Sequence, residues 1–461
     1  MNPEDHEPSD EFRDMLRDIL SGNSSVDPSQ LAGAAGLPDD PASVAALVNQ
    51  LQNALRSSDD GISWGLALKQ GEDRASATQL SVTDEQRTQL EQAFHIAALW
   101  LDEVITVSEL TVEPRLMSRK EWVTATMSVW TQLAEPVATS ISDSLTRVIT
   151  EQAPEEFHDM VANASQVMRS IGGTLFAMQL GQVVGQLASE VVSGGDVGIP
   201  LLGEQQAALL PQNVGEFGEG LDIPADQVQI YLAVRELAHA RLFRHSRWLR
   251  LHLITSITEF ARGISIDTER LEELAEGFDP SNPEELRQAM VDGTLIPPKS
   301  EAQLAALARL ETMLALIEGW VDVVTAQATN RLPKTVAIAE MVRRRRASGG
   351  PAESAFATLV GLELRPRRLR DAATMWQAVT DAVGAAARDA LWAHPDILPT
   401  AEDLDDPQTL VARLTSAAES GEAVLDDFDQ ALEELLREDG PERPVDPDDP
   451  SGPSNSSDPV D

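Results

Sequence analysis

The chain has 461 residues and a mass of 49.9 kDa, with 35 Lys and Arg against 76 Asp and Glu, a formal charge of −41. That field repels polyanions, so neither nucleic acid nor an anionic membrane surface is expected as a partner. Zero cysteines exclude disulfides, thiolate metal sites, iron–sulfur clusters and cysteine nucleophiles.

The N-terminal stretch to about residue 80 is rich in Asp, Ser and Pro. It is expected to be mostly mobile, with short amphipathic pieces at Glu11–Leu20 and Pro41–Leu55. No basic segment followed by an apolar one opens the sequence, and no run of about 18 apolar residues occurs, so a cytoplasmic location is expected.

From there the periodicity is helical. Asp84–Val104 carries Leu90, Phe94, Ala97, Ala98 and Leu101 on one stripe. Ser118–Thr150 opens with Ser118 and Glu121 in capping-box spacing. Pro154 starts a helix towards Val192, in which Ala177, Gly181, Gly185 and Ser189 recur every four residues, a ridge that lets a neighbouring helix approach closely. A central helical region runs from Pro224 to Gly263. Pro283–Val291, Ser300–Thr329, Thr335–Arg346 and Asp371–Ala387 follow. Strand-like alternation and internal repeats are both missing, so the expected class is all-α: a large multi-helix body around a long central helical region. The body spans 81–400, with acidic helices over 401–438 and a disordered tail over 439–461. From Ala401 to Asp461 there are 19 acidic residues against 3 Arg.

The central region holds the most informative local pattern. Glu236-Leu-Ala-His239 is the rear part of a His-Glu-x-x-His zinc motif, in which two His one turn apart hold a metal and the Glu takes a proton from its water. Arg235 stands in the first ligand position, and a guanidinium cannot ligate a cation. The short pattern is unspecific, since Glu155 and His158 repeat it. Downstream, Glu259 lies 20 residues past His239, near the spacing of a third ligand in His₂Glu sites, and His245 lies 6 past it, the spacing of a three-His motif. That longer motif needs Gly where Leu242 stands. In an unbroken helix His239 and Glu259 would lie roughly 30 Å apart, so a shared ion requires a bend near Arg244–Arg247.

Two further features bear on the site. Glu318 and Asp322 sit one turn apart on a mostly apolar helix, where they need Arg, His or a metal as partner. Glu318 could thus pair with Arg, supply a ligand or orient His239, and His252 is a further ligand candidate. Eight Arg fall between Arg343 and Arg370; in so acidic a chain their expected partners are internal, with an anion site as the alternative.

Several segments together resemble an actinobacterial family of zincin-like, zinc-dependent metallopeptidases. They are Ile62–Leu68, Ala98–Val104, Arg119–Val123, Gly172–Val197, Arg235–Ile254, Glu259–Asp267, Glu318–Asp322, Arg343–Ala373 and Ala390–Pro407. The resemblance covers roughly residues 60–408. It implies a helical metallohydrolase acting on a peptide or protein, with zinc as cofactor, Glu236 as general base, and His239 as metal ligand. His245 and Glu259 are the candidates to complete the metal set. The alternative is a catalytically silent helical binding or scaffold protein of zincin-like ancestry, in which Arg235 pairs with Glu236, Glu259 or Glu318.

Overall fold

The structure, a computed structural model, describes residues 62–152, 173–174, 176–262, 299–347 and 367–420, together with 355, 357, 359 and 362. The segments expected at Glu11–Leu20, Pro41–Leu55 and Pro283–Val291, the Glu155–His158 pattern and the tail over 439–461 lie outside the described residues. The chain divides into two compact units, Met1–Val411 and Ala412–Asp461; of the second, residues 412–420 are described and are helical.

The first unit is all-α, as the periodicity predicts. Its helices include α1 (Trp64–Ser76), α2 (Asp84–Asp102), α3 (Arg119–Gln152), α4 (Pro211–Gly218), α5 (Ala225–His245), α6 (Arg247–Arg262), α7 (Glu301–Ala328), α8 (Thr335–Ala347) and α9 (Leu369–Ala390), and residues 176–188 are helical as well. A 3₁₀ turn (Pro395–Ile397), α10 (Ala401–Asp405) and α11 (Pro407–Ser420) follow, α11 running on into the second unit. The mobile region expected through residue 80 gives way to ordered helix from Trp64, because Leu66, Ala67 and Ala75 are buried. No helix among the described residues is long and apolar enough to cross a membrane.

Caps set several helix starts. Ser118 and Glu121 bond each other's backbone N–H across the first turn of α3, and Ser300 and Gln303 do the same for α7. The small-residue ridge receives α1: a Cβ added at Gly181 would come within 2.4 Å of the Ala67 carbonyl oxygen, and one at Gly185 within 2.7 Å of Arg74 Cβ.

Helix α5 is the hub. It packs against α2, α7 and α8, and α7 in turn lies along α9. The long periodic span breaks where the bend is expected. α5 ends at His245, Ser246 adopts φ −103° and ψ 74°, and α6 begins at Arg247. Ser246 Oγ donates to the Trp392 carbonyl at 2.7 Å and Trp248 Nε1 donates to the same oxygen at 3.2 Å, so a single acceptor fixes the break. Trp392 stacks on Trp376 (5.5 Å) and meets Trp320 edge-on (6.4 Å), which anchors that acceptor in the core.

One element escapes the helical periodicity. Arg115–Leu116 (β1) pairs in parallel with Ala208–Leu209 (β2), and Ser193 bridges Leu209 from the other side. Two residues per strand are too few for an alternation pattern to register.

Candidate functional site

Residues Arg235, Glu236 and His239 all lie on the buried length of α5. Arg235 and His239, four residues apart, share a face and reach the same carboxylate on α7. Arg235 Nη2 donates to Glu318 Oε2, and His239 Nε2 lies 3.1 Å from Glu318 Oε1. The other imidazole nitrogen, Nδ1, lies 3.1 Å from the Arg235 carbonyl oxygen. From α8, Arg346 Nη2 donates to Glu318 Oε1 as well. Glu318 is 1% exposed, so this carboxylate is held by three basic side chains with almost no water. Burial alone would raise its pKa, but the charges of Arg346 and Arg235, with His239 behind them, outweigh burial and hold the carboxyl far below the ordinary carboxylate range.

The surrounding charges are paired as well. Arg343 makes a two-pronged contact with Asp322, Nε to Oδ1 at 3.1 Å and Nη2 to Oδ2 at 2.7 Å. Arg345 meets Asp196 at 3.0 Å. Arg344 and Arg370 both reach Glu340, Arg367 reaches Glu311, and Arg368 reaches Asp371 and Asp405. Apart from Arg365, which lies outside the described residues, these arginines find partners within the chain itself, as their setting in an acidic sequence predicts.

Glu236 points the other way. Its Oε2 accepts from Gly195 N at 2.7 Å and its Oε1 from Ala208 N at 2.8 Å, so the carboxylate closes the edge where β2 and the 193–195 loop part. Burial pushes its pKa up, against the two amides and the Ser193 hydroxyl, which pull it down. Glycine is required at 195: a Cβ there would meet His239 Cβ at 2.9 Å and Glu236 Oε2 at 3.0 Å. The amide donors at Gly195 and Ala208 escape sequence reasoning, since any non-proline residue carries an N–H. The Gly194-Gly195 pair was the available signal of a close approach.

A cavity of about 50 Å³ opens beside this carboxylate. Its lining includes Glu236, His239 and Gly195, the apolar Leu202 and Phe243, and three arginines, Arg244, Arg247 and Arg250. Arg250 Nη1 is tied to the Pro200 and Leu202 carbonyls at 2.8 and 2.6 Å, whereas Arg244 Nη1 is buried with no hydrogen-bond partner among the described residues.

The remaining expected ligands are not brought together with His239. His245 ends α5 exposed, about 9 Å further along the helix axis, and Glu259 and His252 are exposed on α6. The break at Ser246 redirects α6 but leaves Glu259 on its solvent face, because Phe260, Ile257 and Leu253 take the buried face. Among the described residues no group of three or more His, Asp or Glu side chains could hold a metal ion.

A model of the zincin-like metallopeptidase family matches residues 62–411. The chain belongs to this family. It is also similar in fold to a crystal structure from Chloroflexus aurantiacus described as a candidate hydrolase with a novel fold, at 18% identity and a TM-score of 0.51 over 77% of this chain and 98% of the other. No curated protein matches the sequence.

Family membership implies zinc, and the residues present do not fit it. Arg235 fills the first ligand position and is itself bound to Glu318. His239 offers a metal at most one nitrogen, Nε2, and that atom faces Glu318 Oε1 at 3.1 Å while Nδ1 faces the Arg235 carbonyl oxygen. Glu318, the carboxylate that His239 Nε2 faces, already carries three basic partners.

Proposed function

We propose that the chain is a hydrolase acting on peptide bonds in the cytoplasm, with the cavity at Glu236 and His239 as its reaction centre and Glu236 as general base. The observation that carries this reading is the place of Glu236 in the cavity wall, whose lining also includes Arg244, with a buried Nη1 that has no hydrogen-bond partner among the described residues. Membership of a metallopeptidase family supports the reaction class. The expected ligand set of His239, His245 and Glu259 has no part in the reading.

The cavity has room for a water and one carbonyl group. A water there loses a proton to Glu236 as its oxygen attacks the carbonyl carbon, and the same proton passes to the departing amine. The carbonyl oxygen gains negative charge in that step, which the Arg244 guanidinium meets in a site of low polarity. His239, packed with acceptor oxygens 3.1 Å from each ring nitrogen, lines the same cavity beside the reacting group.

A second reading has an observation of its own. Both oxygens of Glu236 complete the hydrogen bonding of a strand edge, as a purely structural carboxylate would. On that reading the chain is a helical binding or scaffold protein. Incubating the purified full chain with a peptide library and scoring new termini by mass spectrometry separates the two. The hydrolase reading expects cleavage that survives a chelator and falls by about 100-fold or more in Glu236→Gln. Absence of cleavage across the library supports the scaffold.

A further inference from the structure

The cluster on Glu318 has the outline of a His₂Glu metal site with one member exchanged. Two residues one turn apart on α5 and one carboxylate from α7 meet at one point, the residue types of such a site apart from Arg235. The residue in the leading position is Arg235. Its guanidinium reaches Glu318 Oε2 directly, while His239 keeps 3.1 Å from Glu318 Oε1.

Charge makes the comparison quantitative. Arg235 and Arg346 each bring one positive charge to Glu318, and together they supply the charge of a single divalent cation. Both side chains are largely withdrawn from water, at 6% and 12% exposure. A buried carboxylate needs such compensation, and a metal or paired guanidiniums can each provide it. The cluster is further confined by the 193–198 loop: Gly198 has φ +86°, and a Cβ there would come within 3.0 Å of Glu318 Oε1. The space around the carboxylate is therefore filled by the guanidiniums and closed by backbone.

We infer that Arg235 and Arg346 occupy the place of a divalent cation, making Glu318–His239 a metal-independent electrostatic joint between α5, α7 and α8 and, once the guanidinium is removed, a latent zinc site. The two roles exclude each other in space, because zinc bound to His239 Nε2 and Glu318 must displace the hydrogen bonds those atoms now make. The inference concerns cation binding and does not depend on the proposed hydrolysis.

The test measures metal in three proteins: the full chain, Arg235→His, and Arg235→His combined with Arg346→Ala, in case Arg346 alone still blocks Glu318. Zinc content after purification and Co²⁺ titration, read by the visible absorption of tetrahedral cobalt, report binding without any activity assay. The full chain is expected to hold no stoichiometric zinc. At least one of the two variants is expected to bind one Co²⁺ or Zn²⁺ per chain, about 100-fold or more tighter than the full chain, and to lose it when His239→Ala is added. Circular dichroism keeps unfolded protein out of the comparison. One zinc per chain in the unaltered protein, lost in His239→Ala, would overturn the inference. So would folded Arg235→His and double-variant proteins that bind Co²⁺ no better than the starting chain.

Discussion

Glu318 Oε1 and His239 Nε2 face each other at 3.1 Å across 79 residues of sequence, in a spot where the two side chains are 1% and 2% exposed. A contact made so far inside the protein cannot be relaxed by water. Removing one member leaves the others charged and unsolvated.

Glu318→Gln should therefore destabilise the fold by about 3–5 kcal/mol, measured by urea unfolding, since it leaves two guanidiniums around a neutral amide. Replacing Arg235, Arg346 and Glu318 together with apolar residues of similar volume should cost less than Glu318→Leu alone. If the triple replacement is the worse of the two, the cluster contributes net stability beyond the pairing of its own charges.

The pH dependence follows from the direction of the Glu318 shift. Its folded-state pKa lies below the unfolded value of about 4.3, so its contribution is fully present above that value. It is lost as pH falls from there towards the folded value. Melting temperature followed from pH 7 down to pH 2 should drop more steeply in the unaltered chain than in Glu318→Gln, with the two curves converging in acid. Parallel curves would show that another carboxylate governs acid unfolding.

Gly195→Ala tests the other wall. The added methyl meets His239 Cβ at 2.9 Å and Glu236 Oε2 at 3.0 Å, so the loop must shift and its amide must leave the carboxylate. A loss of about 1–3 kcal/mol is expected, together with loss of any hydrolysis assigned to Glu236. Gly215→Ala is the matched control. It lies in α4 with open space around the new Cβ and should be neutral or stabilising by about 0.5–1 kcal/mol.

Ser246→Ala removes the hydroxyl that binds the Trp392 carbonyl at the α5–α6 break. Because Trp248 Nε1 still serves that oxygen, the cost should stay near 1 kcal/mol. A loss several times larger would mean that the break itself, and not one hydrogen bond, depends on Ser246.

The helices were legible because apolar spacing and caps are local. Ser118 with Glu121 marks a start, and the Gly181–Gly185 ridge marks a close approach whatever the partner turns out to be. The break between Arg244 and Arg247 falls where a shared ion would have required a bend, although His245 and Glu259 are not brought to His239. The partner of Arg235 could not be chosen among Glu236, Glu259 and Glu318, because that choice is made by how α7 lies on α5. Glu236, adjacent in sequence, is drawn off by the Gly195 and Ala208 amides, and Glu259 faces solvent. Ligand spacing taken from sequence placed His245 and Glu259 near His239. It carried no information on which face of α6 would be needed to cover the core, and Phe260, Ile257 and Leu253 settled that.

The β1–β2 pairing spans only two residues a side, yet Ala208 is the residue that hands its N–H to Glu236. Successive strand amides point to opposite edges, so slippage by a single residue would aim that N–H away and strand a buried oxygen. The α5 carboxylate thus works as a latch pin, holding through the Ala208 amide the alignment of a ladder only two residues long.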